Sequence, residues 1–321
     1  MSTAHRPPPA AILLVPLAVA LVLTLFAWPS ARLEPRDLPI GVAGPAPAAQ
    51  AIEARLARQE GAFELHRYAD AAAARQAIED REVYGAFVIT PTGPRVLTAA
   101  GASQAVAQLL TGAAREVPTP RGAAEVAVED VVPAPRGAAL ASSVLPLVLA
   151  GLLTGALAAH LVSRSRARAG LLLVGAVLAG LAATAVVQSW LDVVEGNWLA
   201  NAAALSLTVL AIAAAVAGGF AVLGSPGAIV VALLMVLVGN PFSGVGSAPE
   251  LLPEPVGAIG QLLPPGAGGN LLRSTGFFDG AGAAGHVVVL AIWALGGLAL
   301  VFAAGARRGQ PAPSPAATPT A

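Results

Sequence analysis

The 321-residue chain has no cysteine, and each of its 18 basic residues is an arginine, so lysine is missing as well. The missing thiols exclude disulfides, thiolate nucleophiles and Cys-ligated metals. The missing lysine excludes a phosphate loop of the Gly-x-x-x-x-Gly-Lys-Ser/Thr kind, so the chain is not expected to bind ATP by itself. Charge is scarce: 11% of the residues are ionic, against about 25% in an ordinary soluble domain. Those charges cancel, 18 basic against 18 acidic, which leaves no basic footprint for nucleic acid. The topology derived below splits the histidines, His5 and His160 towards one membrane face, His66 and His286 towards the other. They share no metal site. No His-Glu-x-x-His spacing occurs, and no Ser/His/Asp set shares one face. Neither a catalytic residue nor a cofactor or metal is expected.

What is abundant is apolar. Hydrophobic residues make up 56% of the chain, and they gather into runs at 10–28, 139–162, 170–190, 201–223, 226–239 and 286–305. A helix needs about 20 apolar residues to cross the hydrocarbon layer, and only 226–239 falls well short. The fold class expected is an α-helical polytopic membrane protein of about six spans, in the cell membrane. The first run ends in Trp28-Pro29, an interfacial aromatic and a helix stop. It is expected as an uncleaved anchor rather than a signal peptide, whose apolar part would be shorter.

Residues 30–137 carry most of the charge and no span. Strands are predicted at 40–42, 63–68, 84–89 and 95–99, with a last one at 126–132. Helices are predicted at 48–60, at 70–80 with Asp70 as N-cap, and after Ser103, with Val106, Leu109, Leu110 and Ala113 on one face. The turn Thr90-Pro91-Thr92-Gly93 joins two strands. These elements predict an inserted α/β domain able to fold on its own, followed by a stiff exit through Pro118, Pro120, Pro133 and Pro135. The remainder, 139–305, is a five-helix transmembrane domain. Ser225 and Pro226 are expected to start its fourth helix. Its loop 243–285 is too apolar for solvent and too broken by Pro and Gly for a span. Short re-entrant-like helices are expected there, since non-helical backbone at membrane depth needs cover.

Arginine in short loops stays in the cytoplasm. Arg164, Arg166 and Arg168 lie between the second and third runs, Arg307 and Arg308 follow the last, and Arg6 precedes the first. Six crossings put all of these on one side and every Asp and Glu on the other. Both termini, 1–9 and the Pro/Ala-rich, disordered tail 306–321, are therefore expected in the cytoplasm, and the α/β domain outside.

Polar residues within the runs are few: Thr154, Thr184, Gln188, Ser206 and Thr208. None is charged, which argues against a carrier driven by protons or sodium. Asp192 and Glu195 mark the outer end of the third run. Gly151-x-x-x-Gly155 has the spacing of a helix-packing motif, but in so glycine-rich a chain it reads as coincidence. Arg273 reads as a solvated loop residue, or as a partner of Asp279, Glu254 or lipid headgroups.

Three stretches carry a resemblance. They are the helix and strand ending in Glu82-Val83-Tyr84-Gly85-Ala86-Phe87-Val88-Ile89; Asn240-Pro241-Phe242-Ser243-Gly244 with Pro249-Glu250-Leu251-Leu252-Pro253; and Gln261-Leu262-Leu263-Pro264-Pro265-Gly266-Ala267-Gly268-Gly269-Asn270 running into Leu271-Leu272-Arg273-Ser274-Thr275. With the order span, α/β domain, five spans, the chain resembles type-2 ABC exporter permeases, most closely actinobacterial membrane proteins of the phage-infection-protein type. The resemblance implies outward movement of a hydrophobic or amphipathic compound, a homo- or heterodimer in the lipid bilayer, and a separate ABC ATPase subunit as partner. It implies an ATPase contact at Arg164, Arg166 and Arg168, and an outer gate at Asn240, Pro241, Pro264, Pro265, Gly266 and Arg273. The rival reading, of another class, is a non-transporting envelope protein whose α/β domain binds an envelope component or a partner protein.

Overall fold

The computed structural model describes residues 9–91, 93–115, 126–134, 136 and 138–308. Expectations that touch residues 1–8, Thr92, Pro118, Pro120, Pro135, Gly137 and the tail from 309 lie outside the described residues.

Five helices are long and apolar enough to cross a membrane. They are α1 (Pro9–Ser30), then, beyond the sheet described below, α5 (Ala138–Leu161), α6 (Ser165–Thr184, prolonged by a π turn Ala185–Trp190), α7 (Trp198–Leu223) and α11 (Ala283–Arg308). This is the make-up of a polytopic helical membrane protein. The sixth expected span is shorter: α8 (Ser225–Leu233) and a π turn (Leu234–Gly239) form one apolar stretch, Ser225–Gly239. At 1.5 Å per residue it reaches about 22 Å, against roughly 30 Å of hydrocarbon. Its N-cap is Gly224, at φ 68°, one residue earlier than expected. At the far end α11 continues through Arg308, so residues 306–308 are helix rather than tail.

Helix α7 is the axis: 67% of its span is buried, against 6% of the α1 span. Its Ala- and Gly-rich surface explains why. Without bulky side chains to interlock, helices in lipid associate by letting backbones come close. A Cβ added to Gly151 or Gly155 of α5 would lie 2.7 Å from Ile212 Cβ or 2.6 Å from the Ala213 carbonyl. One on Gly180 of α6 would lie 2.5 Å from the Ser206 amide, and one on Gly297 of α11 would lie 2.7 Å from the Ala215 amide. The Gly151-x-x-x-Gly155 spacing is therefore not coincidence: it seats α5 on α7.

Between α1 and α5 the chain forms β1 (Leu38–Ala43), α2 (Ala46–Leu56), β2 (Phe63–Tyr68), α3 (Ala71–Glu79), β3 (Gly85–Thr90), β4 (Gly93–Thr98), α4 (Gln104–Arg115) and β5 (Ala127–Asp130). The strands make one sheet in the order β2-β1-β3-β4-β5, with only the β3–β4 hairpin antiparallel. Period-2 alternation sends Leu38, Ile40, Phe87 and Val96 to a face covered by α2 and α4. It sends Ala43, Ala86, Val88 and Leu97 to the other face, covered by α3. Asp70 caps α3 by accepting from the Ala73 amide at 2.9 Å.

Neither core is closed by the sheet unit alone. Ala248 and Leu251 complete the α2/α4 side, and Phe278 completes the α3 side. These come from the segment between α8 and α11, which forms a 3-10 turn (Pro249–Leu251), α9 (Val256–Gln261) and α10 (Pro264–Phe277). The unit 36–132, expected to fold by itself, thus borrows core residues from later in the chain.

Helix α10 packs against α5, α7 and α11, and nearly all of it is buried. The glycines that read as helix breakers are what admit it. A Cβ on Gly268 would lie 2.5 Å from Thr208 Oγ1, and one on Gly266 would collide with the Gly260 carbonyl. Helix propensity is given up for close approach.

Candidate functional site: a buried polar junction

On α10, Asn270, Arg273 and Ser274 sit at i, i+3 and i+4, so they share one face. That face is buried, with Arg273 5% and Asn270 3% exposed. Arg273 Nη2 donates to the Val245 carbonyl at 2.9 Å and Nη1 to Asn270 Oδ1 at 3.1 Å. Its Nε has no partner. Asn270 Nδ2 donates to Gln261 Oε1 at 2.6 Å, and Gln261 Nε2 donates to the Ser243 carbonyl at 2.9 Å. The expectation of a solvated Arg273 paired with Asp279 or Glu254 is corrected: both acids are exposed, and neither forms an ion pair with it.

The sheet unit enters this network from above. Arg81, in the turn after α3 at φ 62°, donates Nη1 to the Asn270 carbonyl at 3.2 Å and to Ser274 Oγ. Its guanidinium stands 5.2 Å from the centre of the Phe278 ring. Tyr84 donates its hydroxyl to Glu250 Oε2 at 2.7 Å. Burial pushes the Tyr84 phenol well above its ordinary value, and the Glu250 carboxylate adds to the rise, while Arg81 and Arg273 oppose it. Burial lowers the Arg81 guanidinium, partly offset by Tyr84 and Glu250. Ser103 Oγ donates to the Ser247 carbonyl, and Arg36 Nη1 to the Leu251 carbonyl at 3.0 Å. Two guanidiniums, Arg81 and Arg273, and the carboxylate of Glu250 thus share a part-buried junction between the sheet and α10.

The expected gate residues divide. Asn240 ends the short apolar helix, its amide bonded to the Met235 carbonyl at 3.0 Å. Pro264 and Pro265 are the first helical residues of α10; Pro265 packs on Gly239, and Gly266 packs on Gly260. Pro241 follows Asn240, half-buried. Arg273 lies about 14 Å further along α10, in the polar junction rather than with them.

Arg164, Arg166 and Arg168 lie at the opposite end of the bundle, where the α5–α6 turn meets the end of α11 through a bond from Ser165 Oγ to the Val301 carbonyl at 3.2 Å. Arg164 and Arg166 are exposed there, whereas Arg168 is 4% exposed. Arg168 donates to the carbonyls of Ala158 at 3.1 Å, Ala159 at 3.0 Å and Val162 at 2.6 Å. It caps the C-terminus of α5, and its expected place on a contact surface is corrected. No acid of the described residues lies on this turn.

Sequence reasoning missed Asn270 as the side-chain partner of Arg273, and Arg81, Tyr84 and Glu250 as members of the neighbouring network. The spacing Asn270-x-x-Arg273-Ser274 was the available signal. It also missed Asn201, a buried residue of α7 that donates to Gln188 Oε1 at 2.9 Å and to the Glu195 carbonyl at 2.7 Å. Among the described residues no group of His, Asp and Glu is placed to hold a metal. Comparison with protein-family models, with curated proteins and with solved structures finds no match.

Proposed function

We propose that the chain is the membrane-spanning, permease-like subunit of an ABC-type exporter that moves a hydrophobic or amphipathic compound outward across the cell membrane. One observation carries the reading. The α5–α6 turn and the end of α11 frame an open groove of about 460 Å³, with Arg164 and Arg166 at its rim. Its wall is held by Arg168 and Ser165. A rigid cationic groove at the end of the bundle with loop arginines, the end read as cytoplasmic, suits docking of a separate ATPase. The void between α5, α7 and α10 is only about 10 Å³, so in this reading the path forms between two copies or on opening of the bundle.

The envelope-binding alternative is favoured by a different feature. An open groove of about 520 Å³ between α2 and α4 is lined by Ile52, Leu56, Phe63, Phe87 and Leu109. Such a cleft on an extracytoplasmic α/β domain suits an apolar envelope component.

One experiment tests the orientation that both readings share, and a second separates them. Reporter fusions at Arg166 and after Arg308 should read as cytoplasmic, and fusions at Gly93 as external; a cytoplasmic Gly93 removes the groove from any ATPase. Arg164→Ala with Arg166→Ala should reduce ATPase co-purification and export at least tenfold in correctly oriented protein, while Arg→Lys at both sites keeps most of each. Normal export by the alanine pair, or no ATPase with the wild type in mild detergent, transfers the case to the envelope-binding reading.

A further inference from the structure

Next to the junction lies a cavity of about 90 Å³ framed by Arg273, Phe277, Gln104, Gly246, Ser247 and the start of α5. A single water needs roughly 10–15 Å³ on this measure, so the space holds several waters or one small oxyanion. Its charge is unbalanced. Arg81 and Arg273 both act on the Tyr84–Glu250 pair, and among the described residues Glu250 is the one carboxylate acting on Arg273. Arg273 is buried with its Nε unpartnered. A buried cation without its counter-charge is costly, and an anion held by hydrogen bonds is the ordinary remedy.

We propose that this cavity, between the sheet unit, the start of α5 and α10, is an oxyanion site in which Arg273 binds a phosphate group. The guanidinium is already oriented by Val245 and Asn270, so an arriving anion meets a fixed fork. Ser247 and Gln104 contribute polar groups at the wall, and Phe277 an apolar one. Because Leu140 and Ala141 at the start of a membrane-crossing helix line the cavity, the phosphate is either that of a lipid headgroup or a free ion. The inference does not depend on the export reading.

The test uses full-length protein. In the first arm, thermal unfolding in neutral detergent is followed against inorganic phosphate, with chloride replacing it at constant ionic strength. In the second, native mass spectrometry follows retention of phosphatidylglycerol. Wild type should show saturable stabilisation or retained lipid. Arg273→Met should weaken the response at least tenfold. Gly246→Val fills the mouth without touching Arg273, since a Cβ there meets nothing nearer than Ala141 Cβ at 3.6 Å; it should weaken binding similarly and decides the matter if the Arg273 variant does not fold. A response to phosphate assigns a free ion, and a response to lipid alone assigns a headgroup. No response in either arm, or unchanged binding by Gly246→Val, overturns the proposal.

Discussion

Arg168→Ala is expected to cost about 3 kcal/mol of stability, although nothing in the residue's sequence context marks it as structural. The last carbonyls of any α-helix lack intrahelical partners. Arg168 serves the end of α5 with bonds to Ala158, Ala159 and Val162. Its charge also lies at the negative end of the α5 dipole. Hydrogen bonds from an ionised donor are worth roughly 1.5–3 kcal/mol each, and an orphaned buried carbonyl adds its own penalty. Part of the loss is recovered by water entering the adjacent groove, so the figure stays near the value of one or two such bonds. At about 2.1 cal/mol/K of unfolding entropy per residue, that corresponds to a drop of roughly 4–5 °C in unfolding temperature for a chain of this size. Arg168→Lys should recover less than half, because one ammonium cannot reproduce a planar fork that spans three carbonyls. Unfolding temperature in detergent checks this, and an alanine variant within 1 °C of wild type refutes the capping role. The same variant should also weaken partner binding at the Arg164–Arg166 groove without altering its exposed charge.

The second large effect is expected at Gly297. A leucine there meets the backbone of Ala214 and Ala215 rather than a movable side chain. Relief requires α11 to withdraw from α7 along its length. Overpacking a tight core costs about 1–3 kcal/mol when side chains can adjust, and here they cannot, so yield of folded protein should fall at least tenfold. The neighbouring position supplies the control. A Cβ on Gly296 meets nothing within 4 Å, so Gly296→Leu adds the same volume towards open space. Size-exclusion profiles of the two variants side by side read the difference. Equal yields would mean that the α7–α11 approach does not hold the bundle together.

The contrast between Gly296 and Gly297 shows where sequence reasoning stops. Both are glycines in one apolar run, and no local signal separates them; only the partner helix does. The sheet was legible because its signals are local: Phe63 and Leu65 alternate with Glu64 and His66, and 84–89 is an apolar run ended by a turn. Asp70 was legible as a cap for the same reason. Short helices were expected in 243–285, but the 14-residue length and near-complete burial of α10 were not legible, because Pro264-Pro265-Gly266 and Gly268-Gly269 read as breaks until one sees how closely they let it approach Thr208, Gly239 and Gly260. Arg273 read as solvated because a cation in a broken, loop-like stretch ordinarily is. Its burial depends on Val245 and Asn270, with Glu250 acting nearby, and all but Asn270 lie at least 20 positions away. Arg168 departs from its reading in the same direction: expected in a loop, it lies in the first turn of α6 and turns inward to carbonyls of the preceding helix.

One consequence concerns α1. Only 6% of its span is buried, and its principal contact is with the π turn Leu234–Gly239. Yet the strand leaving it is tied firmly: Glu34 donates its amide to the Leu251 carbonyl at 3.1 Å, and Arg36 donates its own to the Glu250 carbonyl at 2.9 Å. In mechanical terms α1 is a lever clamped at one end. With so few intramolecular neighbours, its tilt rests on its interfacial anchor, Trp28, and shifts when the bilayer is thinner or thicker than its apolar length. The clamp sits on Glu250, the carboxylate that holds Tyr84. A change in membrane thickness therefore becomes a load on the sheet–bundle junction, delivered through a helix whose apolar surface the chain itself leaves almost wholly uncovered.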